Sequence, residues 1–171
     1  GAGAVGICAV QLARRAGALV VATVRSAADE AVAARAGAHH VVRTGPRLVE
    51  RVRTVAPGGV HHIVEVAFGA NIGTDLELLA PRGSVASYAS DAPSPSIPFW
   101  PLLFRNIRLD FCGSDDFTPE HRAEAARAIN EALADGWEGM PIAETFSLDE
   151  IAAAHERVEA PRRRGRVVVL F

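Results

Sequence analysis

The 171-residue chain has no lysine; all 18 of its basic residues are arginine. Schiff-base chemistry and an amine general base are therefore excluded within it, while guanidinium groups remain available to pair with phosphate. Cysteine is scarce as well. Cys8 and Cys112 form no C-x-x-C pair, which argues against a disulfide scaffold and for free, buried thiols in a cytoplasmic protein. No charge sign dominates, since the net charge is -2, so the basic excess that favours nucleic acid or an anionic membrane is missing. Apolar runs are too short to cross a bilayer. The first residues form a glycine-rich turn rather than the charged and apolar segments of a cleavable leader.

What the sequence does contain is an alternation of helix and strand signals. From Ala4 the apolar positions Val5, Ala9, Leu12, Ala13 and Ala16 share one helical face and Gly17 stops it, predicting a helix over 4–16. Residues 19–24 read as a β-branched strand, 27–36 as a helix stopped by Gly37, and 39–43 as a short strand. A helix over 48–55 ends at Pro57-Gly58-Gly59, and a strand follows over 61–66. Residues 74–79 predict a helix and 84–89 a strand, with Pro81-Arg82-Gly83 turning the chain between them. Such an order specifies an α/β fold, a doubly wound parallel sheet whose strands are joined by helical crossovers.

The pattern changes after Ala89. Residues 90–101 hold four prolines and three serines and predict a long surface loop. A last strand from Ile107 to Gly113 is expected at the sheet edge. Beyond it come a helix over 118–136 with Pro119 in its first turn, a second helix opened by a capping box of Ser147 and Glu150, and a strand over 166–171. The dense apolar segment Phe99 to Phe104 suits core, a substrate cleft or a subunit contact.

Gly1-Ala2-Gly3-Ala4-Val5-Gly6 fits G-x-G-x-x-G at the opening of the first helix. In that fingerprint the first glycine makes a tight turn, the second lets backbone approach a pyrophosphate, and the third lets helix pack on strand. The strand that normally precedes the turn is not among these residues, so the expected sheet is Rossmann-like and lacks its first strand. Arg25 lies 19 residues beyond Gly6, near the interval of about 20 at which such folds read the adenosine ribose. Arg25 and Ser26 offer a guanidinium and a hydroxyl where NAD readers place a carboxylate, which favours NADP over NAD. The alternatives are a glycine-rich helix start without a ligand and a solvated Arg25. A methyltransferase that uses the same turn lacks its acidic residue here. His39-His40 and His61-His62 are adjacent pairs whose members point to opposite faces of a strand, so neither pair holds a metal. His155 reads as a packing residue and His121 as a surface one. The Arg162-Arg163-Arg164-Gly165-Arg166 run reads as a solvated turn.

These segments resemble the C-terminal part of medium-chain dehydrogenases/reductases, in the NADPH:quinone oxidoreductase and zeta-crystallin-like branch. The likeness is carried by GAGAVGICAVQLARRAGA, VVATVRSAADEAVAARAGAHHVV, LLAPRGSVASYAS and FSLDEIAAAHERVEAPRRRGRVVVLF. It implies a dinucleotide-binding domain over 1–116, N-terminally truncated. Residues 117–171 would return to an absent GroES-like catalytic domain. By the same resemblance Gly3, Ala4, Val5 and Gly6 form the pyrophosphate turn. Val66, Ala67 and Phe68 lie along the cofactor, and Ser87, Tyr88 and Ala89 lie near the nicotinamide. The lysine with which some quinone reductases hold the 2′-phosphate aligns with Asp29, and their tyrosine aligns near Thr44, leaving the role to Arg25 helped by Arg43.

The implied activity is hydride transfer from NADPH, with NADH the lesser alternative, to a small quinone, enone or related carbonyl compound. No zinc is expected in this part of the chain, no catalytic residue is nominated, and a homodimer would form through the edge strand at Ile107 to Gly113. A non-catalytic dinucleotide-binding module and a fragment of a zinc-dependent alcohol dehydrogenase are the alternatives.

Overall fold

Alternating helix and strand signals do fold as such. The computed structural model describes residues 1–160 and 165–171; Arg162, Arg163 and Arg164 of the basic run lie outside the described residues. The chain divides into two units, Gly1–Arg43 with Ala123–Phe171, and Thr44–Arg122.

In the first unit, α1 (Ala4–Arg15), β1 (Val21–Val24), α2 (Ala27–Arg35) and β2 (His40–Arg43) follow in order. The two strands pair in parallel, with Val21 opposite His40. Gly17 and Gly37 end the helices at φ 80° and 100°, backbone that a side chain resists. The core joins Ile7 and Val10 of α1, Ala22 and Val24 of β1, and Val32, Ala33 and Ala36 at α2. The buried stripe of α1 is therefore not the expected one, because Val5 and Leu12 are exposed. Both stripes are apolar, and the one that meets β1 and α2 is buried; periodicity by itself does not choose between them.

The second unit holds α3 (Leu48–Val55), β3 (Val60–Glu65), α4 (Phe68–Leu78), β4 (Leu79–Ser87), α5 (Phe99–Phe104) and β5 (Arg108–Phe111). Its strands are parallel, in the order β3-β4-β5. Phe68, Ile72, Leu79, Val85 and Leu102 make the core. The helix expected over 74–79 starts six residues earlier, at Phe68, because tertiary packing of Phe68 and Ile72 overrides the weak propensity of Gly69 and Gly73. The proline-rich loop ends at Pro98, where the short α5 begins. Two arginines close the far end of α4. Arg53 donates to the carbonyls of Glu77 at 2.5 Å and Pro57 at 3.1 Å, and Arg105 donates to those of Leu76 and Leu79.

After α6 (Pro119–Ala134), the first unit is completed by β6 (Ile142–Ser147), α7 (Ile151–Glu159) and β7 (Arg166–Leu170). β6 and β7 form a parallel pair. β6 is not foreseen from the sequence, since most of it is exposed and pairing with β7, rather than an apolar face, makes it a strand. The Ser147–Glu150 capping box forms as expected, and the Glu150 carboxylate accepts from the Ser147 N–H at 2.9 Å and its hydroxyl at 2.8 Å.

A doubly wound sheet of the dinucleotide type runs 3-2-1-4-5-6. Within each unit the strands are parallel as in such a sheet, β1 beside β2 in the first and β3-β4-β5 in the second. Among the described residues β1 pairs only with β2, and β3 only with β4.

Candidate functional site

The glycine turn has the geometry its sequence asks for. A Cβ on Gly1 would lie 2.8 Å from the Ala22 Cβ, and one on Gly6 would lie 2.9 Å from the Gly1 carbonyl carbon, so neither position has room for a side chain. At Gly3 nothing lies within 4 Å of such an atom. Gly3 caps α1 in extended backbone, and behind it the first N–H groups of a 12-residue helix face outward with the positive end of the helix dipole. Ala4 and Val5 open that first turn. A tight turn with open space at the middle glycine fits a diphosphate.

At the end of β1, Arg25 is exposed and makes no hydrogen bond or ion pair among the described residues. Ser26 caps α2 in extended backbone, and its hydroxyl donates to the Asp29 carboxylate at 2.6 Å. Arg43, the expected helper, is held by Glu30 through Nε at 3.0 Å and a terminal nitrogen at 2.8 Å.

In the second unit, the β3–α4 loop and the ends of β4 and β5 meet around a cleft of about 280 Å³. Phe68, Ser87, Tyr88, Ala89, Phe111 and Cys112 line it. Four of the residues expected to line a cofactor are thus brought together, with Val66 and Ala67 in the loop beside them. Phe68 is buried, and its ring meets Phe111 edge-on at 5.3 Å. Cys112 is exposed and Cys8 only half-buried, so the expectation of two buried thiols fails. Cys112 follows the last residue of β5, where the strand no longer covers it, and burial raises the pKa of the Cys8 thiol.

Two carboxyls that the sequence reading passed over organise this loop. Glu65, the last residue of β3, is buried. Its Oε1 accepts from the Val66 N–H at 2.7 Å, from the Ala67 N–H, and from the Asn71 side-chain amide at 3.0 Å. Asp75 on α4 is 5% exposed, its carboxyl lies against that of Glu65, and its Oδ2 has no hydrogen-bond partner. Burial first, then the Glu65 charge, pushes the Asp75 carboxyl up to about 7, and the same two causes raise the Tyr88 phenol. One signal was available: Asp75 stands on the stripe of Phe68, Ile72 and Leu78, where an acid is out of place.

His61 and His62 are both exposed on β3, and His62 bonds to the Ser84 hydroxyl at 2.7 Å. His121 is exposed, and so is His155, which packs less than expected because Ala154 is the buried residue of α7. Among the described residues no group of three or more His, Cys, Asp or Glu is placed to hold a metal ion. None of the described helices is long and apolar enough to cross a membrane.

Parallel strands, helical crossovers and a glycine turn at the head of α1 define a Rossmann-type nucleotide-binding domain. Residues 4–131 match the family described as zinc-binding dehydrogenase, and the chain belongs to that family, within the medium-chain dehydrogenases/reductases. It is 26% identical over 172 residues to the quinone oxidoreductase of Sus scrofa, covering 99% of this chain and 52% of that protein. To the 2-haloacrylate reductase of a Burkholderia species it is 28% identical over 176 residues, covering 99% and 53%. A crystal structure of 2-haloacrylate reductase superposes with a TM-score of 0.88 at 25% identity, covering 99% of this chain and 55% of that one. A mycobacterial protein complexed with NADPH superposes with a TM-score of 0.83 at 25% identity, covering 100% and 54%. The chain spans about half the length of the curated relatives it matches.

Proposed function

We propose that these residues are the cofactor half of an oxidoreductase that reduces a small quinone, enone or related carbonyl compound with NADPH. The observation that carries the reading is the glycine turn, closed at Gly1 and Gly6 and open at Gly3. Relatives named quinone oxidoreductase and 2-haloacrylate reductase support the substrate class. In this reading residues 1–116 bind the dinucleotide and 117–171 return to a substrate domain.

When bound, the reduced nicotinamide supplies the hydride. The chain's own residues bind and orient. Backbone N–H groups from Gly3 to Gly6 take the diphosphate, Arg25 pairs with the 2′-phosphate, and Val66, Ala67, Phe68, Ser87, Tyr88 and Ala89 shape the nicotinamide end and keep water from it. No side chain here is assigned as a general acid. A reduced quinone is a delocalised anion that solvent can protonate.

NADH is the second reading, and one contact favours it. Asp29 sits against the Ser26 hydroxyl, where a carboxylate accepts from ribose hydroxyls and repels a phosphate. Arg25→Ala decides between the two. If Arg25 holds the 2′-phosphate, the preference for NADPH over NADH falls about tenfold, the equivalent of one charge-assisted contact. An unchanged ratio assigns the position to Asp29.

The activity is tested on the full-length protein, these residues joined to the substrate domain, by titrating it with NADPH and then following NADPH oxidation with a simple quinone. Binding with turnover is expected; no binding overturns the reading, and binding without turnover makes the protein a dinucleotide-binding module. Residues 1–171 by themselves are expected to turn over far more slowly than an intact relative. The edge strand β5 is read as a homodimer contact, which light scattering on the same sample tests: a monomer mass rejects it.

A further inference from the structure

The Glu65–Asp75 pair is a polar device inside an apolar core. Glu65 already accepts three N–H donors on one oxygen, so that oxygen is engaged as an acceptor. Asp75 receives no N–H donor among the described residues and lies against that same carboxylate. Two carboxyl groups in hydrogen-bond contact need one proton between them, since a carboxylate only accepts. The donors to Glu65 decide where it resides. Asp75, which has no such donors, carries the proton and turns its O–H to Glu65.

We propose that Asp75 is a positioning residue, and that its proton, held against Glu65, fixes the Val66–Ala67–Phe68 loop in the shape that receives the dinucleotide. The inference rests on the dinucleotide reading of that loop. Glu65 gathers the two loop N–H groups and the Asn71 amide of α4, so it joins strand, loop and helix at one atom. Loss of the Asp75 proton sets a second negative charge against Glu65 in a buried site, and the two anions repel. The only ways to relieve that repulsion are to move the loop or to admit water.

The other charged groups on the elements packed against α4 do not compensate. On β3, His61 is exposed and His62 is engaged with Ser84. On β4, Arg82 is exposed. On α3, Arg53 is engaged with backbone carbonyls and Glu50 and Arg51 are exposed. Arg105 is engaged with backbone carbonyls, and Asp91 accepts from the Ala70 N–H at 2.8 Å. Tyr88, whose N–H donates to the Glu65 carbonyl at 3.2 Å, is neutral over the relevant range.

The sign of the pH effect follows. The folded chain holds the Asp75 proton up to about 7, whereas an unfolded aspartate releases it at about 4. This group's contribution to stability is therefore full below about 4 and declines as pH rises to about 7, beyond which it is lost. NADPH binding that needs the protonated form weakens about tenfold per pH unit above 7. The 2′-phosphate, with its second pKa of about 6, contributes little there.

The test is NADPH affinity of the full chain at pH 6, 7 and 8.5, with thermal melts and infrared spectra of the same samples. Wild type is expected to lose about tenfold or more in affinity between pH 7 and 8.5 and to show a protonated-carboxyl band at pH 6. Asp75→Asn keeps a donor to Glu65 without a titrating proton, and should hold its affinity across the range and lack the band. Glu65→Gln supplies an amide donor to Asp75, lets it ionise, and should also remove the band at pH 6. Equal loss of affinity in wild type and Asp75→Asn overturns the proposal, as does absence of the band from wild type. Should Asp75→Asn not fold, the band in wild type and its loss in Glu65→Gln decide. Failure to bind NADPH at every pH overturns the dinucleotide reading and the positioning role with it, whatever the band shows.

Discussion

Replacement of Gly3 by alanine is expected to lower NADPH affinity about tenfold or more while leaving the melting temperature unchanged or slightly raised, whereas Gly6→Val lowers both. The two glycines differ in what surrounds them. Gly3 adopts φ -76° and ψ 166°, backbone open to any residue, and an added Cβ meets no protein atom within 4 Å. Alanine there strains nothing, and by restricting the unfolded chain it contributes about 0.4–1 kcal/mol of stability. On the proposed reading it also occupies the space through which a diphosphate would reach the helix N-terminus. At Gly6 the first added atom already lies 2.9 Å from backbone carbon, and backbone cannot step aside as a flexible side chain can. Valine adds two further methyl groups, an overpacking of about 1–3 kcal/mol or more. Calorimetric melts and NADPH titrations of both variants separate the effects. Wild-type affinity in Gly3→Ala removes the diphosphate from this turn.

Phe68→Ala is expected to destabilise the protein by about 3–5 kcal/mol, the range for truncating a buried aromatic. Phe68 is 1% exposed, belongs to the core that joins α4 to β4 and α5, and meets Phe111 edge-on. Against a total stability of about 5–15 kcal/mol, such a loss takes away a third or more of what keeps the domain folded. Because the same ring forms part of the cleft wall, the surviving folded fraction should also bind cofactor less tightly. Phe68→Leu retains most of the volume and should fold. Urea unfolding of the two variants checks the order, and a difference below about 1 kcal/mol between wild type and Phe68→Ala would falsify the account of the core.

The features legible in the sequence were those set by local chemistry. Glycine at 17 and 37 marked helix ends, because left-handed backbone is a property of one residue. The capping box at Ser147 depends on four consecutive residues and was found. The glycine fingerprint was readable because its roles need the absence of a side chain. By contrast, the buried face of α1 depends on which stripe meets β1 and α2, and the strand Ile142–Ser147 depends on a partner some twenty residues away. Asp75 could be singled out as an acid on an apolar stripe, but its pairing with Glu65 could not: ten positions separate the two carboxyls, and only the β3–α4 packing takes both out of water. Residues read as cofactor contacts from a family likeness fell around one cleft where they share the second unit, while Arg43 fell to Glu30, a neighbour the linear spacing does not reveal.

Among the described residues β1 and β3 each pair with one strand only, which bears on how such a domain survives its own synthesis. A row of free N–H and C=O groups accepts any extended segment that comes by, and natural sheets defend such rows with proline, lysine or a bulge. β1 is Val-Ala-Thr-Val and β3 is Val-His-His-Ile-Val-Glu, with no proline, in a chain that has no lysine at all. Neither strand carries the proline or lysine guard, so both rows are open to edge-to-edge pairing with an extended segment.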